Sequence, residues 1–219
     1  MPGLVLRPFL RLYLRWLQAW DRRRLRRLAQ RHPGVEIHPT ASSNLAAARF
    51  ELAPASRLVI GPGVSTERLP GRLLFHVEEG ASLEIGGETW LRCEVEKIRL
   101  VAYAGASLVV ADECWLNGCQ ISAKERVALG HGAMIGPGTR IYDSDHAIDE
   151  DRPEGTAPVE IGECVWVASD VMIVKGSVVG GHSVIGARSV VTGTIPPHSL
   201  ALGAPARRKG AVGKRRPFM

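Results

Sequence analysis

From Ile161 onward a branched aliphatic residue returns at every sixth position: Ile161, Val167, Ile173, Val179, Ile185 and Val191. Two residues ahead of each stands a second constrained slot, first Val159, Val165 and Val171, then Ser177, Ser183 and Ser189. Glycine follows the aliphatic at Gly162, Gly180 and Gly186. An α-helix repeats near 3.6 residues and a simple strand near 2, so a period of six belongs to neither. A short strand plus a turn fits it, with one side chain pointing inward on each side of a coil, which is how a β-solenoid reads in sequence. The same phase appears upstream in Leu129-Gly130, Ile135-Gly136 and Ile141, with Ala133 and Thr139 in the small slot. Further back, Ile60, Ile85, Val110 and Ile135 recur at 25 residues, which predicts coils with inserted loops or extended corners. Stacked coils bury a continuous aliphatic column that no single repeat could bury alone. The pattern therefore predicts an all-β solenoid whose column supplies stability, and it directs the search for function to places where the repeat breaks.

The beginning of the chain follows a helical pattern. Leu6, Phe9, Leu10, Tyr13, Trp16, Leu17 and Trp20 share one face, with Arg7, Arg11, Arg15, Arg22 and Arg26 on the other, and Pro33-Gly34 ends the run. This predicts an amphipathic α-helix with two uses that are compatible. Its apolar face can cap the open end of the first coil, or it can lie in a membrane interface and make peripheral contact with anionic lipid through residues 4–28. Three segments follow: residues 1–35 as a basic helical appendage, 36–206 as the solenoid, and 207–219 as a basic, solvated tail.

Charge sharpens this division. The chain has 219 residues and a net charge of +6, yet residues 1–31 carry +8, residues 207–219 carry +6, and the stretch between them −8. An acidic body without a recognition motif argues against nucleic-acid binding. Cys93, Cys114, Cys119 and Cys164 show neither a Cys-x-x-Cys pair nor histidines at zinc-ligand spacing, so buried free thiols in a reducing compartment are expected, with no metal. With no secretory signal and no long apolar run, a cytoplasmic location is expected, at most peripheral to the inner face of the membrane.

The repeat breaks between Ile141 and Ile161, where Tyr142-Asp143-Ser144-Asp145-His146-Ala147-Ile148 leads into a polar, acidic stretch. His146 has Asp143 and Asp145 as close neighbours in sequence, which are the ingredients of a general base working near neutral pH. A surface loop whose histidine merely caps a turn is the plainer reading of the same spacing. His131 and His182 fall at glycine-flanked corners and are expected to be solvated, and Trp90 and Trp115 are expected to be packing residues at loops.

The run Asp-x-Asp-His, Ile161-Gly162-x-x-Val165-Trp166-Val167, Val179-Gly180, Ile185-Gly186-Ala187, Ser189-Val190-Val191-Thr192, Ile195-Pro196-Pro197 and Gly203-x-Pro205-Ala206-Arg207 resembles the hexapeptide-repeat O-acetyltransferases, the galactoside, maltose and polysaccharide enzymes among them. The match is near continuous over 129–207 and looser over 40–128. It implies a left-handed parallel β-helix, a hand that the usual right-handed crossover rule would not suggest. It also implies acetyl-CoA as co-substrate, a saccharide acceptor, and a homotrimer with each cleft between neighbouring chains. By the same resemblance His146 is the base that deprotonates the acceptor hydroxyl for direct transfer, and Trp166 lies beside the reacting groups. Ser169 and Ala187 receive the thioester arm, Thr192 and Arg207 lie toward the nucleotide end, and Asn117 is the acceptor-binding asparagine. Three departures stand out: Ala168 replaces a glycine, Gly193 a common lysine, and Ala204 an asparagine or valine.

The implied function is O-acetylation of a sugar hydroxyl, in surface-polysaccharide or lipid-linked glycan assembly. N-acetylation of an amino sugar makes similar demands on His146 and is the alternative within the enzyme class. A non-catalytic β-solenoid scaffold is the alternative outside it. A metal-dependent lyase resembling the γ-type carbonic anhydrases needs closely spaced histidine ligands, which His131, His146, His182 and His198 do not supply.

Overall fold

In the computed structural model, residues 6–147, 150–151 and 153–217 are described. The remainder, including the first positions of the helical appendage and Ile148, Asp149 and Arg152 of the acidic stretch, lies outside the described residues. After the helix Leu6–Arg31 (α1), the chain winds a three-sided prism of parallel strands. The first face holds eight strands from Val35–Ile37 to Thr194–Ile195, and the second eight from Ser65–Thr66 to Arg207–Ala211. The third holds seven, from Arg49–Leu52 to Val190–Val191. The architecture is the left-handed parallel β-helix expected from the sequence.

Register explains the six-residue period. One inward column climbs each face, residue over residue. The first face stacks Ile60, Ile85, Val110, Leu129, Ile161, Val179 and Ile195. The second stacks Thr66, Leu91, Leu116, Ile135, Val167, Ile185 and Ala201. The third stacks Phe50, Phe75, Leu100, Ile121, Ile141, Ile173 and Val191. Three six-residue sides make one coil, as between Ile161 and Val179. A fully buried Leu, Ile or Phe of these columns contributes about 1.5–3 kcal/mol, so the prism needs no thick layered interior. The earlier coils are longer because segments such as 67–72 and 93–97 extend the edge between the second and third faces. In the 25-residue series Ile135 belongs elsewhere: the residue paired with Val110 is Leu129, and Ile135 sits on the second face.

Both ends of the prism are covered. The C-terminal part of α1 lies on the first coil, with Leu25 buried and Leu28 and Ala29 packed against the same core. Buried Asp21 accepts hydrogen bonds from Arg68 at 2.7 and 3.1 Å, and Arg22 donates to the carbonyls of Pro39 and Ala41 at 2.6 and 3.0 Å. At the other end the basic tail is not the free, solvated segment expected from its charge. Arg207–Ala211 pairs antiparallel with Ser199–Leu202. Beyond it, Arg215 donates from Nε to the Cys164 carbonyl at 3.0 Å and from its backbone N–H to His182 Nδ1 at 3.2 Å. The tail is held through backbone partners, for which side-chain charge is a poor guide. His182, also expected in solvent, is buried and stacks on His198 with ring centres 5.0 Å apart. Trp90 and Trp115 lie on strands of the second face and stack on each other at 5.2 Å. All four cysteines are buried free thiols, and burial pushes those of Cys114 and Cys119 up to about 12, which keeps them protonated and unreactive.

Candidate active site

The break in the repeat is a detour from the edge between the third and first faces. Strand Arg140–Tyr142 ends, the chain leaves the prism at Asp143, and it re-enters at strand Val159–Ile161. Its neck is closed by an antiparallel bridge between Ser144 and Thr156, with Asp145 N–H donating to Gly155 O at 3.1 Å and Ala157 N–H to Asp143 O at 2.9 Å. Each carboxylate of the acidic motif pins one foot of this loop. Asp143 is fully buried and accepts from the backbone N–H groups of Lys124, Glu125 and Arg126 at 2.8, 2.8 and 2.7 Å. Asp145 accepts from Gly155 N–H at 3.0 Å and pairs with Lys175 Nζ at 2.7 Å. The hydrogen bond from Lys175 holds the Asp145 carboxyl below its ordinary value.

Sequence proximity suggested that these carboxylates orient the imidazole, and the structure corrects that expectation. Both are engaged elsewhere, and His146 makes no hydrogen bond or ion pair with either among the described residues. The imidazole stands exposed on the loop beyond the neck. The carboxylates therefore position the loop that carries the ring.

A second set of predicted residues gathers on the opposite side of the third face. Trp115, Asn117, Met134, Pro137, Trp166 and Ser169 are among the residues lining a groove of about 230 Å³ on the second face. The strands Trp115–Asn117, Met134–Ile135 and Trp166–Val167 are consecutive neighbours there, so Trp115, Met134 and Trp166 stand in one outward column. The Oδ1 atom of Asn117 is buried in this groove and accepts no hydrogen bond among the described residues. A buried acceptor left so costs about 1–3 kcal/mol, which a ligand hydroxyl or amide would recover once the half-buried side chain turns its amide into the groove. Trp166 is 42% exposed, and the Arg215 guanidinium lies 5.6 Å from its ring centre.

From this groove the edge between the second and third faces runs upward through Ser169 and Ala187, one coil apart, to Arg207 at the start of the antiparallel strand. The backbone N–H groups of Ser169 and Ala187 have no protein acceptor among the described residues, so both can serve a ligand carbonyl. Arg207 is exposed at the top of this line and suits a phosphate. An extended molecule with polar groups along its length and phosphates at one end fits this donor set. Thr192 does not join it: it lies past strand Val190–Val191, on the same edge as the His146 loop. One face of the prism thus separates His146 and Thr192 from Asn117, Trp166, Ser169, Ala187 and Arg207. Sequence reasoning missed Trp115, Met134 and Arg215 as neighbours of Trp166, because unequal coil lengths hide the column and Arg215 comes from the tail. Among the described residues no group of three His, Cys, Asp or Glu side chains is placed to hold a metal ion. Nor is any helix there long and apolar enough to cross a membrane.

No protein-family model matches the chain. Over 85 residues it is 38% identical to the galactoside O-acetyltransferase of Escherichia coli, covering 37% of this chain and 42% of that one. Over 111 residues it is 38% identical to nodulation protein L of Rhizobium meliloti, covering 48% and 61%. The chain spans about half the length of the curated relatives it matches. Its fold is similar to that of the polySia-specific acetyltransferase NeuO, with a TM-score of 0.66 over 84% of this chain and 78% of that one at 22% identity. The resemblance to the hexapeptide-repeat acetyltransferases is borne out at the level of relatives and fold.

Proposed function

We propose that the protein is an acetyl-CoA-dependent O-acetyltransferase acting on a sugar hydroxyl, with its active site formed between two chains of a homotrimer. The observation that carries this reading is the line from the orphaned Asn117 acceptor past Trp166, Ser169 and Ala187 to Arg207. It offers acceptor, apolar, amide and cationic groups in the order that a sugar, an acyl thioester arm and a phosphorylated nucleotide would meet them. Acetyl-CoA, when bound, supplies an acetyl group activated as a thioester. The chain's own residues do the rest. Ser169 and Ala187 hold the arm through backbone N–H groups, Trp166 shields the reacting end from water, and Arg207 meets a phosphate. Asn117 Oδ1 takes a hydrogen bond from the acceptor. His146 removes the proton from the attacking hydroxyl, a contribution of about 10²–10⁴-fold for such a base, and returns it to the departing thiol.

The geometry asks for a second chain. His146 projects from one edge of the prism and the groove follows another, so a neighbour's loop meeting this groove unites the two sets. Asp143 and Asp145 act as positioning residues for that loop. Thr192, on the loop's own edge, would then touch a donor seated against the neighbouring chain. Relatives named for galactoside and polysialic acid acetylation support a glycan acceptor, and a cytoplasmic setting accords with four reduced thiols.

The experiment follows thiol release from acetyl-CoA with a panel of saccharides, with mass spectrometry of the product. His146→Ala is expected to lower turnover about 10²–10⁴-fold while donor binding by calorimetry stays intact. Full turnover by this variant, or a monomer in sedimentation that remains active, would overturn the mechanism.

A further inference from the structure

α1 carries two apolar stripes that do not line up. At about 100° per residue, Asp21, Leu25, Leu28 and Ala29 form the sector that meets the first coil. Phe9, Tyr13, Trp16 and Trp20 fall roughly 130° round the helix from it. This second stripe has nothing of the prism to cover it: Phe9 is 71% exposed, Tyr13 56%, Trp16 60% and Trp20 52%. Its rings stack along the helix, Tyr13 on Trp16 at 6.4 Å and Trp16 on Trp20 at 5.9 Å. Exposed aromatics set side by side over several turns are not needed for capping, which Leu25, Leu28 and Ala29 already perform.

Followed toward the C-terminus, the same stripe changes chemistry. One turn past Trp20 come Arg23 and Arg24, then Arg27 and Arg31. These four arginines and Trp20 border a cavity of about 650 Å³ between α1 and the first coil, floored by apolar groups that include Leu28, Ala46 and Phe50. None of the four guanidinium groups forms an ion pair or side-chain hydrogen bond among the described residues, and the only acid of the helix, Asp21, is spent on Arg68. Like charges three and four residues apart repel along a helix. The four exposed guanidinium groups are free to meet anions from outside, and the apolar floor beneath the cationic rim suits an anion joined to a hydrocarbon.

We propose that α1 is a docking surface for an anionic phospholipid bilayer. The Phe9–Trp20 stripe lies in the interface, and Arg23, Arg24, Arg27 and Arg31 engage lipid phosphates, one headgroup seated in the cavity. Two-fold pairing of this helix with that of a second copy is a poor alternative, since it would bring the same uncompensated arginines against these. The inference stands apart from the acetyl-transfer reading and is tested without turnover.

The test is co-sedimentation of the full-length protein with vesicles of phosphatidylcholine alone and of phosphatidylcholine with phosphatidylglycerol, at low and high salt. Binding is expected only to the anionic vesicles and is expected to fall as salt rises. R23E/R27E is expected to weaken it about 30-fold or more, from about 1 kcal/mol for each charge near the surface. F9E/W16E is expected to weaken it comparably. All four positions are exposed, so melting temperature and circular dichroism should not move; R23Q/R27Q repeats the test without charge reversal. Excess glycerol phosphate should leave wild-type binding in place, which separates a bilayer from a free phosphate ligand. Equal binding to neutral vesicles, indifference to R23E/R27E and R23Q/R27Q, displacement by glycerol phosphate, or capture of nucleic acid in place of lipid would each overturn the proposal.

Discussion

Replacing Asp143 by alanine removes one acceptor group from three donors at once. Its carboxylate takes the N–H groups of Lys124, Glu125 and Arg126 at 2.8, 2.8 and 2.7 Å from a fully buried position. These residues turn the chain from the third face to the first in the coil below the His146 loop. A hydrogen bond left unmade under cover costs about 1–3 kcal/mol, which for three donors would be about 3–9. The side chains of Glu125 and Arg126 are exposed, so water reaches part of the turn once the carboxylate is gone. A total near the bottom of that range, about 3–4 kcal/mol, is therefore expected. That is a large share of the ~5–15 kcal/mol by which domains are stable. Asp143→Asn keeps one acceptor oxygen and should lose about half as much. The assay is urea unfolding near neutral pH at one fixed protein concentration, with hydrogen exchange of the amides at 124–126. A loss below about 1 kcal/mol for Asp143→Ala, or unchanged protection of those three amides, would refute the reasoning.

Three further substitutions test other parts of the prism. His76 bridges Glu51 at 2.7 Å and Glu78 at 3.2 Å. Burial opposes its charge, but the hydrogen bonds to the two carboxylates more than offset this and raise its pKa. A raised folded-state pKa stabilises fully below the ordinary histidine value, and the gain is lost as pH rises through the folded value. The melting-temperature advantage of wild type over His76→Gln should accordingly be largest below the ordinary histidine value of about 6.5 and shrink as the pH is raised above it. At Gly162 an added Cβ would lie 2.5 Å from Gly181 N and 2.8 Å from Gly181 Cα, both backbone of the next coil, while at Gly193 it meets nothing within 4 Å. Gly162→Ala should cost about 1–3 kcal/mol by overpacking, with Gly193→Ala within about 0.5 kcal/mol of wild type; equal melting temperatures would contradict the coil spacing.

The stretch from Val159 to Val191 was readable because every side there is six residues long, so sequence distance equals position on the prism; the next side, to Ile195, is only four. Earlier coils break that equality. Val110 and Ile135 are 25 residues apart, like Ile60 and Ile85, but here the interval is one short coil of 19 residues plus one side of six. Periodicity alone cannot tell the two cases apart. The loop bearing His146 was legible as an interruption, whereas the duties of Asp143 and Asp145 were not, since their partners at 124–126 and Lys175 come from neighbouring coils. The groove residues Asn117, Trp166 and Ser169 were found through resemblance, and the separation of His146 from them by a whole face shows only in three dimensions. Charge misled at the tail: Arg207–Ala211 is held by backbone pairing, to which its side chains contribute nothing legible.

Closure of both ends has a consequence for the assembled state of the molecule. A ladder of parallel strands has no intrinsic length; its last rung is a template for a further rung from any chain that fits. Here growth is stopped by segments that break the rule of the repeat, a helix over the first coil and a reversed strand against Ser199–Leu202. Removal of either would uncover a surface ready to propagate, turning a particle of fixed size into the seed of a fibre.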